Sequence, residues 1–201
     1  MRFRIIPRGL LLSFCLLGIA NIGLSDAELP EPPRVWLKTK PAACVVSGAS
    51  RKLAAGGNLQ AAIHAASPGD EIVLPAGAIF EGNFTLPAKA GTGWITIRGD
   101  SQPPALPAEG ERVTPAHAAA MPKIVTPNAN PAISALPGAA RYRLVGLEVA
   151  LKPSVPYNYN LILLGSAETS EAQAPSDIII DRCYIHGSPR QTLRRGIALN
   201  S

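Results

Sequence analysis

The sequence contains few aromatic and few charged residues. Aromatic side chains make up 5% and charged side chains 16% of the 201 residues, whereas hydrophobic residues make up 47%. A disordered chain is excluded, because such chains combine low hydrophobicity with high net charge. The scarcity of aromatics, together with 18 glycines and 20 prolines, favours many short strands joined by turns over a helical bundle. The length fits about one domain.

Long apolar runs are also missing, except at the N-terminus. Three arginines within the first eight residues precede an apolar stretch over residues 10–24, and small residues follow up to Ala27. This order is typical of a secretory signal peptide over residues 1–27, with the mature chain beginning near Glu28. A membrane anchor is disfavoured, because the run of about 15 residues is shorter than the roughly 20 needed to span a bilayer. We therefore expect a secreted, periplasmic or cell-envelope protein without a stable membrane span.

The basic charge depends partly on this N-terminal segment. The formal net charge is +5, but signal cleavage removes the three N-terminal arginines. The remaining excess is small and gives no argument for nucleic acid, so we expect no nucleic-acid partner.

Cysteine is rare, which limits disulfide and metal chemistry. The mature chain would contain only Cys44 and Cys183. Export permits a disulfide between them, but Cys183 falls on an inward-facing position that suits a small buried thiol, so pairing is the less favoured alternative. No Cys/His spacing indicates a metal site, and no cofactor is identifiable. Calcium stays possible in a longer form of the protein.

Past the signal peptide, residues 28–57 form a Pro-rich, extended lead-in, with a first strand predicted around residues 44–46. A short amphipathic helix is expected next, because Asn58 can cap its N-terminus and Leu59, Ile63 and Ala66 follow helical spacing. Four short apolar strands then follow, each bounded by Gly, Pro or Asn: residues 71–74, 83–86, 94–99 and 123–126. Asn-Gly and Asp-Gly pairs are absent from the sequence, which argues against a meander of tight hairpins.

Internal repetition indicates how these strands assemble. Residues 144–149 match residues 180–185 at an offset of 36, and residues 161–166 match residues 196–201 at an offset of 35. A repeat of about 35 residues with three short strands predicts a solenoid of parallel strands, in which each coil packs on the next. Strand alternation assigns two sets of positions. The inward set is Tyr142, Leu144, Leu147, Val149, Ile178, Ile180, Cys183 and Ile185, and the outward set is Arg143, Glu148, Asp181, Tyr184 and His186.

Three segments carry a resemblance to a known family: "LQAAIHAASPGDEIVLPAGAIFEGNFTL", "GWITIRG" and "DIIIDRCYIHG". Together they resemble the N-terminal part of right-handed parallel β-helix proteins of the pectin-lyase-like superfamily, found in exported bacterial proteins. The resemblance covers residues 58–201 and implies an all-β, right-handed parallel β-helix (solenoid) with a short N-terminal capping helix. The chain ends after few rungs without a recognisable cap, so we expect an incomplete helix.

What the resemblance implies about activity is broad, because the superfamily includes lyases, hydrolases, esterases, epimerases and non-catalytic proteins. We expect a protein that binds or degrades acidic polysaccharide or a cell-surface glycan, lyase-like or hydrolase-like in its complete form. Family active sites lie on outward residues of central rungs, so no catalytic residue is assigned and this chain alone is expected to be inactive. The alternative is a non-catalytic surface, stalk or adhesion protein.

Two loops are the best candidates for a binding surface. Residues 151–160 and 187–195 occupy the same position in successive repeats and should emerge side by side. Arginine matches carboxylates or sulfates, and tyrosine stacks on sugar rings. The candidate substrate-binding residues are Tyr157, Tyr159, His186, Arg190, Arg194 and Arg195, and the alternative is a solvated basic loop. Asp177 and Asp181 are four residues apart, so their side chains should point the same way on a strand. They are candidates for a calcium site or for acid/base chemistry, and the simpler alternative is that they are strand-end residues.

Overall fold

The structure is a computed structural model, and it describes residues 45–108, 111–166 and 168–199. The predicted signal peptide, most of the lead-in and Cys44 lie outside the described residues. Among those that are described, the strands form one five-stranded and two four-stranded sheets, and all neighbouring strands are parallel. The structure is therefore an all-β parallel fold.

The elements follow one another in a fixed order. The strands are β1 (Ser50–Lys52), β2 (Glu71–Leu74), β3 (Ile79–Glu81), β4 (Phe84–Leu86), β5 (Ile95–Gly99), β6 (Lys123–Thr126), β7 (Ile133–Ala135), β8 (Ala140–Val145), β9 (Glu148–Leu151), β10 (Tyr157–Leu164), β11 (Ser176–Asp181), β12 (Tyr184–Ile185) and β13 (Thr192–Leu199). One α-helix, α1 (Leu59–Ala65), lies between β1 and β2, and 3₁₀ turns lie at Pro115–Ala120 and Glu171–Gln173.

The chain visits the three sheets in rotation, which gives a solenoid-like arrangement. The first sheet has the order β1-β2-β5-β8-β11, the second β12-β9-β6-β3 and the third β13-β10-β7-β4. Each passage through the three sheets is one coil: β2 to β4, β5 to β7, β8 to β10 and β11 to β13. The register of the last two coils confirms the sequence repeat, because Leu144 pairs with Ile180 and Ile162 pairs with Ile197.

The core lies between the three sheets and is built from stacked inward residues. Tyr142, Leu144, Leu147 and Val149 are fully buried, as their alternation predicts. Their counterparts in the fourth coil pack against the same core but are only half-buried: Ile178, Ile180, Cys183 and Ile185. Each short strand therefore finds its apolar partners in the coils above and below it.

Helix α1 covers the first coil. The Asn58 side chain accepts a hydrogen bond of 2.9 Å from the Ala61 amide and caps the helix as expected. Leu59 and Ile63 are buried on the inner face. On the partly exposed side, the Gln60 amide bonds both backbone groups of Thr85 in β4, at 2.8 and 3.1 Å. In the described part of the chain, no helix has the length and apolar character to cross a bilayer.

The lead-in differs from the prediction. Val45 and Val46 are exposed and lie outside regular structure, and the first strand in the described part of the chain is β1, at Ser50–Lys52. Hydrogen bonding rather than apolar content fixes this strand, because Ser50 pairs with Glu71 and the Ala49 amide donates to the Asp70 carboxylate at 2.7 Å. Strands β3 and β7 were not predicted, since three residues are too few to show an alternating pattern.

Candidate functional site

A broad cleft of about 920 Å³ lies on the outer face of the second sheet. Parallel pairing brings outward residues of successive coils into rows across this face. One row contains Ile79, Lys123, Glu148 and Tyr184, from β3, β6, β9 and β12. The segment after β12, from His186 to Gln191, also lines the cleft. The cleft therefore crosses the coils and offers space for an extended ligand.

Glu148 joins a lysine and a histidine side chain in this cleft. Lys123 Nζ donates to Glu148 Oε2, and His186 Nε2 lies 3.0 Å from Glu148 Oε1. Alternation correctly predicts that Glu148 and His186 point outward, but Glu148 is only 8% exposed, because its neighbours cover it. A carboxylate of such low exposure needs these partners to offset its lost hydration. The three residues form what we call the Lys–Glu–His cluster.

The hydrogen-bond partners in this cluster indicate which of its atoms carry protons. His186 Nδ1 lies 2.9 Å from the Gly187 carbonyl oxygen, which only accepts, so Nδ1 carries a proton. A second proton then lies between Nε2 and the Glu148 carboxyl group. Lys123 donates to Glu148 and, at 3.1 Å, to the Ala118 carbonyl oxygen.

Lys123 is subject to two opposing influences. The Glu148 carboxylate stabilises its ammonium form, whereas burial lowers the pKa of that ammonium. A neutral lysine amine has two N–H groups, which suffice for both observed hydrogen bonds, and it keeps one lone pair to accept a proton. The cluster thus combines a potential proton acceptor with a potential proton donor.

The rest of the cleft pairs an apolar floor with further cations. Val125, Ala150 and Leu151 line the floor. At its edge, Lys152 Nζ forms an exposed ion pair of 2.8 Å with Glu81. Arg190 also lines the cleft and is exposed. Flat apolar surface beside cationic groups suits a sugar ring that carries a carboxylate.

The candidate binding residues predicted from the sequence lie at two places. His186 and Arg190 line the cleft, whereas Tyr157, Tyr159, Arg194 and Arg195 do not. The latter lie on β10 and β13, which pair in parallel with Tyr157 opposite Thr192. The two segments are therefore adjacent, as the repeat predicts, although much of each is strand rather than loop.

Tyr159 is the centre of this second group. The guanidinium carbons of Arg194 and Arg195 lie 4.4 and 5.1 Å from its ring centroid. Such cation–π contacts occupy the aromatic ring with the protein's own cations. We call Tyr157, Tyr159, Arg194 and Arg195 the β10–β13 surface.

Asp177 and Asp181 do not form a joint site. Asp177 is exposed and has a φ of 52°, which interrupts the strand alternation. Asp181 accepts hydrogen bonds from Arg143 at 2.7 Å and from Arg182 at 3.0 Å. Burial raises the pKa of the Asp181 carboxyl, but these hydrogen bonds outweigh it and hold the pKa below its ordinary value. Among the described residues, no group of three or more His, Cys, Asp or Glu side chains is placed to hold a metal ion.

Sequence reasoning did not identify Lys123 as part of a site. Lys123 begins the strand "KIVT", whose apolar residues predict a strand but give no role to the lysine. Lys123 and Glu148 are 25 residues apart, a spacing well below the 35-residue repeat. Because this spacing does not match the repeat, the sequence carries no periodic signal that would have identified the pair.

Comparison with known proteins adds little to this geometry. No protein-family model matches the chain, and no curated protein matches it. Among solved structures, the chain is similar to the alginate lyase from Paenibacillus sp. str. FPU-7, with 18% identity and a TM-score of 0.45 over 68% of this chain and 44% of that one. The chain thus spans less than half of that structure. At this TM-score, conclusions about fold and function depend on the chain's own residues.

Proposed function

We propose that the cleft on the second sheet binds an acidic, uronate-containing polysaccharide and that the Lys–Glu–His cluster cleaves it by β-elimination. This proposal replaces the sequence-based expectation that this chain alone is inactive. The observation that carries this proposal is the bridging of Lys123 and His186 by Glu148 in an open cleft with an apolar floor. Lys152 and Arg190 add further cations, which would attract a uronate carboxylate.

The elimination needs one base and one acid. In its neutral form, Lys123 accepts the proton next to the uronate carboxylate, and the electron pair of that C–H bond forms a C=C double bond. The neighbouring C–O bond breaks, and the His186 imidazolium gives its proton to the leaving sugar oxygen. Glu148 then returns a proton from Lys123 to His186, which restores the cluster.

Hydrolysis is less well supported by the same cleft. Hydrolases need paired carboxyl groups, one of them protonated as the general acid. The two carboxylates that line the cleft are Glu81 and Glu148, and each is paired with a lysine. A neighbouring ammonium favours the ionised carboxylate, which cannot donate a proton.

The fold and the location of the protein are part of the same proposal. The chain passes in turn through three parallel sheets, and a helix covers the first coil. Both features support a right-handed parallel β-helix of the pectin-lyase-like kind. The N-terminal residues 1–27 would direct export. Mass spectrometry of exported material should then find a mature terminus near Glu28, and recovery of intact Met1 from membranes would contradict export with cleavage.

Ultraviolet absorbance of the new double bond tests the proposed chemistry. The purified chain is incubated with alginate, with polygalacturonate and with a neutral glucan. We expect absorbance to increase with at least one polyuronate and not with the glucan. Lys123→Met should lower the rate about 100-fold or more, and Lys52→Met, an exposed lysine outside the cleft, should not. Absence of the signal from the wild-type chain would favour the non-catalytic surface or stalk protein.

A further inference from the structure

A second cavity, of about 270 Å³, lies on the outer face of the first sheet. Strand residues on this face contribute one part of its wall, and a segment that follows β5, residues 101–106, contributes another. Leu106 packs against the chain after β8, since a Cβ on Gly146 would lie 3.0 Å from a Leu106 methyl carbon. The residues that line the cavity include Thr96, Arg98, Arg143, Arg182, Gln102 and Leu106.

All three arginines contact a carboxylate, and two of them do so through two nitrogens each. Arg98 binds Glu71 through two nitrogens, at 2.7 and 3.2 Å. Arg182 binds Asp181 through two nitrogens, at 3.1 and 3.0 Å, and the Pro107 carbonyl oxygen at 3.2 Å. These two guanidinium groups are therefore structural and contribute charge rather than free donors.

Arg143 is different. Its Nη2 donates to Asp181 at 2.7 Å, but its Nε is buried and has no hydrogen-bond partner among the described residues. A buried guanidinium N–H without an acceptor is unfavourable. Arg143 lines the cavity and its side chain is 22% exposed, and a guanidinium group is a good partner for a carboxylate.

The charges around the cavity do not balance. Three guanidinium groups face two carboxylates, those of Glu71 and Asp181, which leaves one positive charge. Thr96, only 6% exposed, adds a hydroxyl group, and Gln102 adds an amide. Leu106 and Val145 provide apolar wall. Charge, donors and size together suit a single negative charge on a small, partly apolar molecule.

We propose that this cavity binds a small organic monocarboxylate, no larger than a single sugar acid, through Arg143. The ligand carboxylate pairs with the guanidinium group of Arg143, and its carbon body lies against Leu106 and Val145. This site belongs to the first sheet, whereas the cleft belongs to the second. The proposal therefore stands or fails independently of the polysaccharide function.

Isothermal titration calorimetry with propionate and with glucuronate tests it directly. We expect at least one of them to bind the full chain at one molecule per chain, and neutral methyl glucoside not to bind. Arg143→Lys keeps the charge but removes the guanidinium fork, and it should weaken binding about tenfold or more. Arg112→Lys, a matched change at an exposed arginine that does not line the cavity, should leave the affinity unchanged.

A second variant separates binding from folding. Leu106→Trp fills the cavity without altering any charge, so it should abolish binding while circular dichroism shows the wild-type β signal. If Arg143→Lys fails to fold, the Leu106→Trp result decides. The proposal is wrong if wild type shows no saturable heat with either carboxylate at millimolar concentration, if both variants bind as wild type does, or if sulfate binds as tightly as the carboxylates.

Discussion

Glu148 Oε1 lies 3.0 Å from His186 Nε2, a contact that joins the third coil to the fourth. The other oxygen of the same carboxylate accepts from Lys123 in the second coil. Parallel pairing places Lys123 opposite Glu148, and His186, two residues after the register partner Tyr184, reaches the same carboxylate. Outward residues of three successive coils thus meet at one carboxylate. A solenoid of short strands is therefore able to assemble chemistry from residues far apart in sequence.

Glu148 should contribute more to stability than the other cleft carboxylate. In Glu148→Gln, Lys123 and His186 lose their shared charged partner in a poorly hydrated place. We expect a loss of about 1–3 kcal/mol in the free energy of unfolding, measured by urea denaturation. Glu81→Gln breaks an exposed ion pair with Lys152, and it should cost at most about 0.5 kcal/mol. Equal effects of the two changes would contradict the described burial.

The Asp181 ion pairs should make stability depend on acidic pH. The pKa of Asp181 is lowered in the folded state by Arg182 and Arg143 despite its burial. Its contribution is therefore complete above the unfolded-state pKa of about 3.9 and is lost as the pH falls from there through the folded-state pKa. The stability difference between wild type and Asp181→Asn should be largest near neutral pH and should shrink below about pH 4. Exposed Asp177→Asn is the control and should show a much smaller difference, and a constant difference for Asp181→Asn would refute the assignment.

Cys183 should be unreactive in the folded protein. Burial raises the pKa of its thiol to about 12, whereas an unfolded cysteine has a pKa of about 8.5. Because the thiolate is the reactive form, iodoacetamide at about pH 8.5 should label Cys183 far more slowly in the native protein than in urea. Peptide mapping by mass spectrometry distinguishes it from Cys44. Similar labelling rates in both conditions would show that the fourth coil does not bury this side chain.

Inward residues of successive coils should differ in their contribution to stability. Leu144 is fully buried in the third coil, and Ile180, its partner in register, is half-buried in the fourth. Leu144→Ala should destabilise the protein by about 2–5 kcal/mol, and Ile180→Ala should cost less. Urea denaturation of both variants measures the difference. A larger loss for Ile180→Ala would mean that the fourth coil is buried more deeply than described.

The repeat made the coil predictable. Apolar residues 35 or 36 positions apart proved to be register partners, as with Ile162 and Ile197. Strands Glu71–Leu74 and Lys123–Thr126 begin and end where the apolar runs do. Inward packing depends on side-chain pattern alone, so the sequence is sufficient to predict it.

The Lys–Glu–His cluster was beyond such reasoning for a physical reason. Long loops extend out of the coil without changing how the strands pair. The number of residues between register partners therefore differs from sheet to sheet. Ile97 pairs with Leu144 in the first sheet, while Lys123 pairs with Glu148 in the second. No single offset connects both pairs, and the cluster becomes visible only when strands are paired in space.

Affinity for an acidic oligosaccharide, measured in low salt on two double variants, is the most direct test of the proposed binding site. Lys152→Met with Arg190→Met removes cleft cations, whereas Arg194→Met with Arg195→Met removes the same number from the β10–β13 surface. A uronate oligosaccharide is titrated into each, with a neutral glucan as control. The account predicts that the cleft variant loses about tenfold or more in affinity and that the surface variant stays close to wild type. Loss confined to the surface variant would contradict it and would place the binding site on β10 and β13.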